Sequence, residues 1–293
     1  MFINPYQEPE QNIKKDGYLG SFITYNSIGS ISIKAFHIYK NKYPQLLLIS
    51  LIPFIPAFIL SMFYIEETAS LIAYFLQSSE VDPVNFSDIP FTVYFLLILQ
   101  MFLDPLALAA MIITIGRIII SYDTSSRFNS YSANTISAYY FALTRGYSLI
   151  LNVVIFYLVL LFFGFLSLVL IGLPLLLIWI IATIVYPHAI YFENAGPGSA
   201  LLRSIKLLSR SWLDLFKFWI PLIGITGIQF ISSTYIVAGS IGIVFNELLS
   251  FILQPLVPII TSLAYVHYRI RVDDLSYIDY GNSVLNLGKP IQE

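Results

Sequence analysis

The chain has 293 residues, of which 57% are hydrophobic and only 11% are charged, and its formal net charge is -2. Soluble domains carry about 25% charged residues, so this composition excludes an ordinary water-soluble fold and predicts a surface covered by lipid. The slightly negative charge gives no reason to expect nucleic acid as a partner. The absence of cysteine excludes disulfides and thiolate metal sites.

The N-terminal segment, residues 1–29, is polar and carries Lys14, Lys15 and Asp16. It lacks the short apolar core of a cleavable signal peptide, so the first apolar segment is expected to act as an uncleaved anchor. A second polar segment covers residues 273–293. The membrane domain is therefore expected over residues 30–272.

Six apolar segments reach the roughly 20 residues that a helix needs to cross a bilayer. They run from Pro44 to Tyr64, Phe91 to Ile115, Leu149 to Ile171, Pro174 to Phe192, Phe218 to Val237, and Leu249 to Tyr268. Only helices and closed barrels satisfy their backbone in lipid, and these continuous apolar runs lack the alternation of barrel strands. The sequence predicts an all-α integral membrane fold with six transmembrane helices.

The charges indicate the orientation of these helices. All 15 basic residues lie before the first segment, between the second and third, between the fourth and fifth, or after the sixth, whereas the loop 65–90 carries only acidic charges. By the positive-inside rule, both termini are expected in the cytoplasm, with the acidic loop outside a cell (plasma) membrane. Asn85 begins the Asn85-Phe86-Ser87 sequon in this loop and is a candidate glycosylation site, or else part of a chance tripeptide.

A threefold pattern recurs in residues 32–43, 136–147 and 201–212, each ahead of an apolar helical pair. Superposition of the final aromatic residues aligns apolar residues at shared spacings: Phe36, Tyr140 and Ile205, then Tyr39, Leu143 and Leu208. The spacing favours three repeats of an interfacial amphipathic helix followed by a transmembrane hairpin. The alternative is that any chain entering a membrane looks amphipathic.

Basic residues gather near the end of each of these segments. Arg145, Arg203, Lys206 and Arg210 are candidate ligands of anionic lipid headgroups on the cytoplasmic side. Trp212 is expected at headgroup depth, where aromatic side chains are enriched.

Asp104 is the one acidic residue expected well inside the membrane, at the middle of the second segment and before Pro105. An intramembrane carboxylate is by default a functional candidate, and beside a proline kink it can bind a cation or relay a proton. The alternative is a structural Asp paired with Gln100, Gln254 or a tyrosine hydroxyl.

Other polar residues mark the ends and breaks of helices. His188 lies near the end of the fourth segment, five places before Glu193, a spacing that does not favour a contact. Glu193 is expected instead to form an ion pair at this elbow with Arg203 or Arg210. Gln254 stands before Pro255 at a break in the sixth segment; such breaks mark transport sites or are plain kinks.

Residues 184–212 resemble the membrane domain attached to some glycerophosphoryl diester phosphodiesterases, and related stand-alone membrane proteins. The matching features are an acidic helix end, a glycine turn, a basic helix and an aromatic residue: Glu193, Gly196, Ala200, Leu201, Arg203, Ser204 and Trp212. Residues 265–274 resemble the family's tail, with His267 in place of its usual Asp. The resemblance implies a six-helix membrane domain without catalysis, since the activity of the fused relatives belongs to a separate barrel of about 250 residues, for which this chain has no room.

Nucleotide-binding, hydrolase-elbow and zinc-protease motifs are absent from the sequence, and we predict no enzyme activity, metal or cofactor. The leading hypothesis is an accessory or scaffold membrane protein that acts through lipids, other membrane proteins or itself. The alternative is a small-solute or lipid transporter with Asp104 at its centre.

Overall fold

A computed structural model describes residues 28–64, 89–121, 135–167, 172–210, 212–235 and 240–273. Every regular element within these ranges is a helix. In chain order they are α1 (Ile28–Phe63), α2 (Phe91–Ser121), α3 (Thr135–Thr144), α4 (Gly146–Ser167), α5 (Gly172–Thr183), α6 (Tyr186–Phe192), α7 (Ser199–Ser209), α8 (Trp212–Tyr235), α9 (Ser240–Leu253) and α10 (Leu256–Asp273).

Five helical stretches are long and apolar enough to cross a membrane: Ile31–Phe63, Phe91–Ile119, Gly146–Leu166, Gly172–Phe192 and Val244–Arg269. A shorter apolar helix covers Phe218–Gln229. Each stretch coincides with one of the six apolar segments. The prediction of an all-α, multi-pass membrane protein is therefore confirmed. The outward side of α4 carries large exposed apolar residues, among them Phe162 and Phe165, as expected of a surface in contact with lipid.

Two spans consist of more than one helix. The fourth continues from α5 into α6 through a turn at Ile184 and Val185, and the sixth is broken at Gln254 and Pro255 between α9 and α10. The apolar stretch of the sixth span begins at Val244, inside α9, a few residues before the approximate start at Leu249 expected from the sequence.

The first repeat differs from the prediction. Its expected interfacial helix is not separate, because α1 continues without a break past Pro44 into the first span. The second and third copies do contain short helices, α3 and α7, which end before Arg145 and Arg210. In the sequence Arg145 is followed by glycine, a weak helix former, and the first copy has no glycine at this position.

When the three segments are superposed on their final aromatic residues, one shared position nevertheless lies in the core in every copy. Ile38, Ala142 and Leu207 are each 0% exposed. The position two places earlier points outward in the first two copies, where Phe36 is 60% and Tyr140 65% exposed. The face shared by the copies is thus the buried one, and Phe36 and Tyr140 lie on the opposite side.

The buried apolar residues form two clusters of unequal size. The main core includes nearly all of α2 between Ala107 and Ile119, together with residues of α1, α6, α7 and α10. A small cluster lies at the other end of α1 and α2 and consists of Leu60, Ile89, Val93 and Leu96. The second half of α2 is therefore the central helix of the bundle.

Polar side chains satisfy backbone carbonyls that the helices leave open. Pro53 has no N–H to donate to Ile49 one turn earlier, and the Tyr139 hydroxyl donates to the Ile49 carbonyl at 2.6 Å. Tyr191 donates to the carbonyl of Ala142 at 2.9 Å, in the last turn of α3. Such partners are needed where water cannot reach the backbone, and they fix α3 between α1 and α6.

Candidate functional site

A cavity of about 280 Å³ lies between α1, α2, α8 and α9. It is lined by Pro53, Phe54, Ala57, Gln100, Asp104, Gln229, Glu247, Ser250, Phe251 and Gln254. Along both α1 and α2 the lining residues fall between the main core and the small cluster. This polar cavity is therefore an open cleft between two apolar clusters, within the apolar spans, and Asp104 is exposed at its side.

Asp104 and Gln254, two of the intramembrane candidates from the sequence, both line the polar cavity. The Asp104 Oδ1 atom accepts a hydrogen bond from Gln100 Nε2 at 2.7 Å. Pro105 does not interrupt α2, which is continuous from Phe91 to Ser121. The carboxylate thus has one amide partner on its own helix and faces the same space as the amide of Gln254.

Glu247 is a second carboxylate in the cavity, and it falls outside the predicted spans, between the fifth segment ending at Val237 and the sixth starting at Leu249. It lies in α9, and its Oε1 accepts a hydrogen bond from the Ser61 hydroxyl of α1 at 2.6 Å. Its position between apolar residues of a helical pattern was the signal that could have found it. The cavity therefore combines two carboxylates from helices distant in sequence with three glutamine amides.

A second polar site joins the ends of α6 and α10 to the middle of α7. Arg203 Nε lies 2.6 Å from Glu193 Oε2, so the structure brings together the pair expected at the elbow. Arg203 also pairs with Asp273. Arg269 contacts the same two carboxylates, at 3.2 Å from Glu193 and 2.7 Å from Asp273. These four side chains form a closed charged ring of zero formal charge.

The charged ring is only slightly exposed, with side-chain exposures between 14% and 24%. Burial alone would lower the pKa of Arg203, but its hydrogen bonds to Asp273 and Glu193 and their negative charge raise it. Tyr265 adds a hydrogen bond from its hydroxyl to Glu193 at 2.8 Å. Sequence reasoning missed Arg269 and Asp273, although their spacing of four on one helix indicates an ion pair.

His188 is fully buried beside the charged ring rather than in the polar cavity. Its Nε2 lies 3.0 Å from the Ser262 hydroxyl, and its ring stacks on Tyr265 with centroids 5.2 Å apart. Tyr265 in turn donates to Glu193. His188 and Glu193 are therefore connected through Tyr265, and His188 helps to hold α6 against α10.

The four basic headgroup candidates fall into two groups. Arg145 donates to the Ile190 carbonyl at 2.5 Å, where burial lowers its pKa, and Arg203 belongs to the charged ring. Lys206 and Arg210 are exposed on and just after α7. Trp212 begins α8. Asn85 lies outside the described residues, as does the acidic loop up to residue 88.

Comparison with family models, with curated proteins and with solved structures found no match to this chain. The resemblance to the membrane domain of phosphodiesterases therefore stays a prediction. Among the residues described, no group of three or more His, Asp or Glu side chains is arranged to hold a metal ion. The polar cavity and the charged ring are the two arrangements in which the structure brings candidate polar side chains together.

Proposed function

We propose that this chain is a non-enzymatic, multi-pass membrane protein that acts as an accessory or scaffold through its interfacial helices. The observation that carries the proposal is an apolar stripe on α3, a helix that belongs to none of the spans. Ile136 is 76%, Tyr140 65% and Leu143 61% exposed, whereas Ala138 and Ala142 on the other side are buried. The stripe is the outward face of a helix that is otherwise packed on the protein.

Water is an unfavourable environment for this stripe. Complete burial of a large apolar side chain is worth about 1.5–3 kcal/mol, so three such residues at this exposure lose several kcal/mol in water. Contact with lipid at the boundary of headgroups and acyl chains removes that cost. The same arrangement extends to the N-terminal part of α1, where Ile33 is 71% exposed.

Lys206 and Arg210 supply the charge that such a surface needs to select anionic lipids. Both are exposed, and Leu202 one turn before Lys206 is 69% exposed. Each basic residue near an anionic surface contributes about 1 kcal/mol. Arg145 and Arg203 are engaged within the protein, so we assign headgroup contact to Lys206 and Arg210.

The proposed orientation places this basic side in the cytoplasm of a cell (plasma) membrane, with both termini inside and loop 65–90 outside. The chain has no cysteine, so single-cysteine variants need no background removal. A cysteine at Glu67 is expected to react with a membrane-impermeant thiol reagent applied to intact cells, and a cysteine at Lys206 only after lysis. The opposite pattern would reverse the assignment.

The headgroup proposal is tested by reversing two charges while the charged ring is left intact. The variant Lys206→Glu/Arg210→Glu in lipid nanodiscs should lose most of its enrichment of anionic over zwitterionic lipid, by about 10-fold or more. The control Lys206→Arg/Arg210→Lys keeps both charges and should retain the enrichment. Equal enrichment of anionic lipid in the two variants would refute the proposal.

A second candidate function is the transport of a small solute, and the polar cavity favours it. Asp104 lies in the middle of α2 and shares this cavity with a second carboxylate, Glu247. The candidate predicts cation- or proton-dependent flux into proteoliposomes that disappears in Asp104→Asn. Equal flux with and without the carboxylate would remove transport from consideration.

A further inference from the structure

The size of the polar cavity sets the scale of anything that it can hold. At about 280 Å³ it has room for roughly nine water molecules at about 30 Å³ each. Ligand sites for drug-sized molecules begin at about 300 Å³. The cavity is therefore large for a bare metal ion and fits a small organic solute.

The charge of the lining points to a cation. Asp104 and Glu247 bring two carboxylates into the apolar spans, and none of the described residues that line the cavity is basic. A carboxylate inside a membrane is costly unless it is protonated or paired. Gln100 and Ser61 each give one carboxylate a hydrogen bond but no positive charge. A bound cation would compensate this charge.

An unused acceptor on Gln100 points to a hydrogen-bond donor. The amide nitrogen of Gln100 is committed to Asp104, whereas its Oε1 is buried and has no hydrogen-bond partner among the described residues. If the Gln100 amide were flipped, its Oε1 would face the Asp104 Oδ1, and two acceptors would meet. The contact with Asp104 therefore determines the orientation of the Gln100 amide. An ammonium group carries three N–H donors and no acceptor, and it can serve the carboxylate and the amide oxygen together.

Two aromatic rings favour an organic cation over a hydrated inorganic one. Phe54 and Phe251 line the cavity with ring centroids 4.5 Å apart. Aromatic faces attract ammonium groups and accept alkyl carbons. A hard metal ion prefers six or more oxygen ligands, and the described residues contain no group of three acidic or histidine side chains placed to hold one.

We propose that the polar cavity is a binding site for a small organic cation with an ammonium group, held between Asp104 and Glu247. Gln100 accepts an N–H of the ligand, and Phe54 and Phe251 cover its carbon chain. The proposal deepens the solute-transport candidate, but it concerns binding, which can occur in a chain that moves nothing. It is independent of the headgroup contact assigned to Lys206 and Arg210.

The test uses the full chain in nanodiscs and measures thermal stabilisation during titration. Putrescine is the probe, butanediol is its neutral counterpart, and sodium chloride at equal ionic strength is the inorganic counterpart. Putrescine should give saturable stabilisation, since a ligand that binds only the native state stabilises it. The other two solutes should give none. Equal stabilisation by butanediol or by sodium chloride, or no saturable response to putrescine, overturns the proposal.

The variants assign the binding to the cavity. Asp104→Asn and Glu247→Gln should each weaken the apparent affinity for putrescine by about 10-fold or more, the usual effect of losing a charged hydrogen bond. Asp104→Glu keeps the charge and should retain most of the affinity. Lys40→Met, an exposed residue of α1 that does not line the cavity, should bind as the parent chain does.

Each carboxylate variant is first checked for aggregation by size-exclusion chromatography. If one of them aggregates, the test uses the other. Unchanged affinity in a folded Asp104→Asn or Glu247→Gln protein contradicts the site. Putrescine binding without flux in proteoliposomes would support the binding site and contradict the transport candidate. Flux without putrescine binding would contradict the binding site and support transport.

Discussion

Removal of one arginine from the charged ring is the sharpest test of how the helix ends are held together. In Arg203→Met the aliphatic part of the side chain is kept, and both ion pairs of the guanidinium are lost. Glu193 and Asp273 then share Arg269 alone. The ring changes from zero to one net negative charge, and α7 loses its connection to α6 and α10 at this point.

The burial of the ring sets the expected size of the effect. Breaking a fully buried ion pair costs about 3–5 kcal/mol, whereas exposed pairs are worth about 0.2–1 kcal/mol. The ring side chains are 14–24% exposed, between these limits and nearer the buried one. We expect Arg203→Met to lower the free energy of unfolding by about 2 kcal/mol, about 30-fold in the equilibrium constant.

The assay is unfolding in mixed micelles by titration with a denaturing detergent, followed by far-ultraviolet circular dichroism. Lys206→Met is the matched control, because Lys206 is exposed on the same helix one turn later. It should change the free energy of unfolding by less than about 0.5 kcal/mol. A double-mutant cycle with Asp273→Asn should give a coupling energy of at least about 0.5 kcal/mol.

Equal loss of stability in Arg203→Met and Lys206→Met would show that the ring adds nothing beyond an ordinary surface charge. A coupling energy of zero with Asp273 would show that the two side chains act independently. Either result refutes the reasoning from burial. High salt should reduce the destabilisation caused by Arg203→Met only in part, because largely buried ion pairs are incompletely screened.

Two further pairs of variants test the backbone arguments. Tyr139→Phe leaves the Ile49 carbonyl without its donor and should cost about 1–2 kcal/mol, whereas Tyr140→Phe, 65% exposed, should be neutral in the same unfolding assay. Equal effects would exclude the hydrogen bond as the cause. Gly198→Ala should lower the melting temperature, because its φ of +72° costs a residue with a Cβ about 1 kcal/mol, whereas Gly224→Ala, with open space around it, should raise it slightly. A stabilising Gly198→Ala would contradict the strain argument.

Apolar segment lengths allowed the fold class to be predicted, because a helix in lipid is specified by composition over about 20 residues. The same reasoning placed Glu247 outside the spans, because a single carboxylate between apolar residues is compatible with a loop as well as with a helix. The pairing of Glu193 with Arg203 followed from their closeness along the chain. Arg269 and Asp273 join them from about 70 residues away, a contact that depends on tertiary packing.

The two short helices α3 and α7 show the same division between what spacing predicts and what packing decides. Sequence spacing indicated that residues 136–147 and 201–212 form amphipathic helices, and the structure contains α3 and α7 there. Spacing alone did not tell which side is buried, because Tyr140 and Ala142 lie in equally apolar surroundings in the sequence. Ala138 and Ala142 pack inward on α3, whereas Ile136, Tyr140 and Leu143 face outward. That choice depends on how closely α3 approaches its neighbours.

Because the sixth span is broken at Pro255, α10 can tilt as one rigid helix about that point. One end of this helix adjoins Gln254, which lines the polar cavity, and the other end carries Asp273 of the charged ring. Its 18 residues span about 27 Å. A tilt of about 5° at Pro255 therefore displaces Arg269 and Asp273 by about 2 Å, which is enough to open the ion pair of 3.2 Å between Arg269 and Glu193 of the neighbouring helix end. If α10 moves as a rigid body, a change in the width of the cavity at Gln254 also displaces Arg269 and Asp273 and strains the ion pairs of the charged ring.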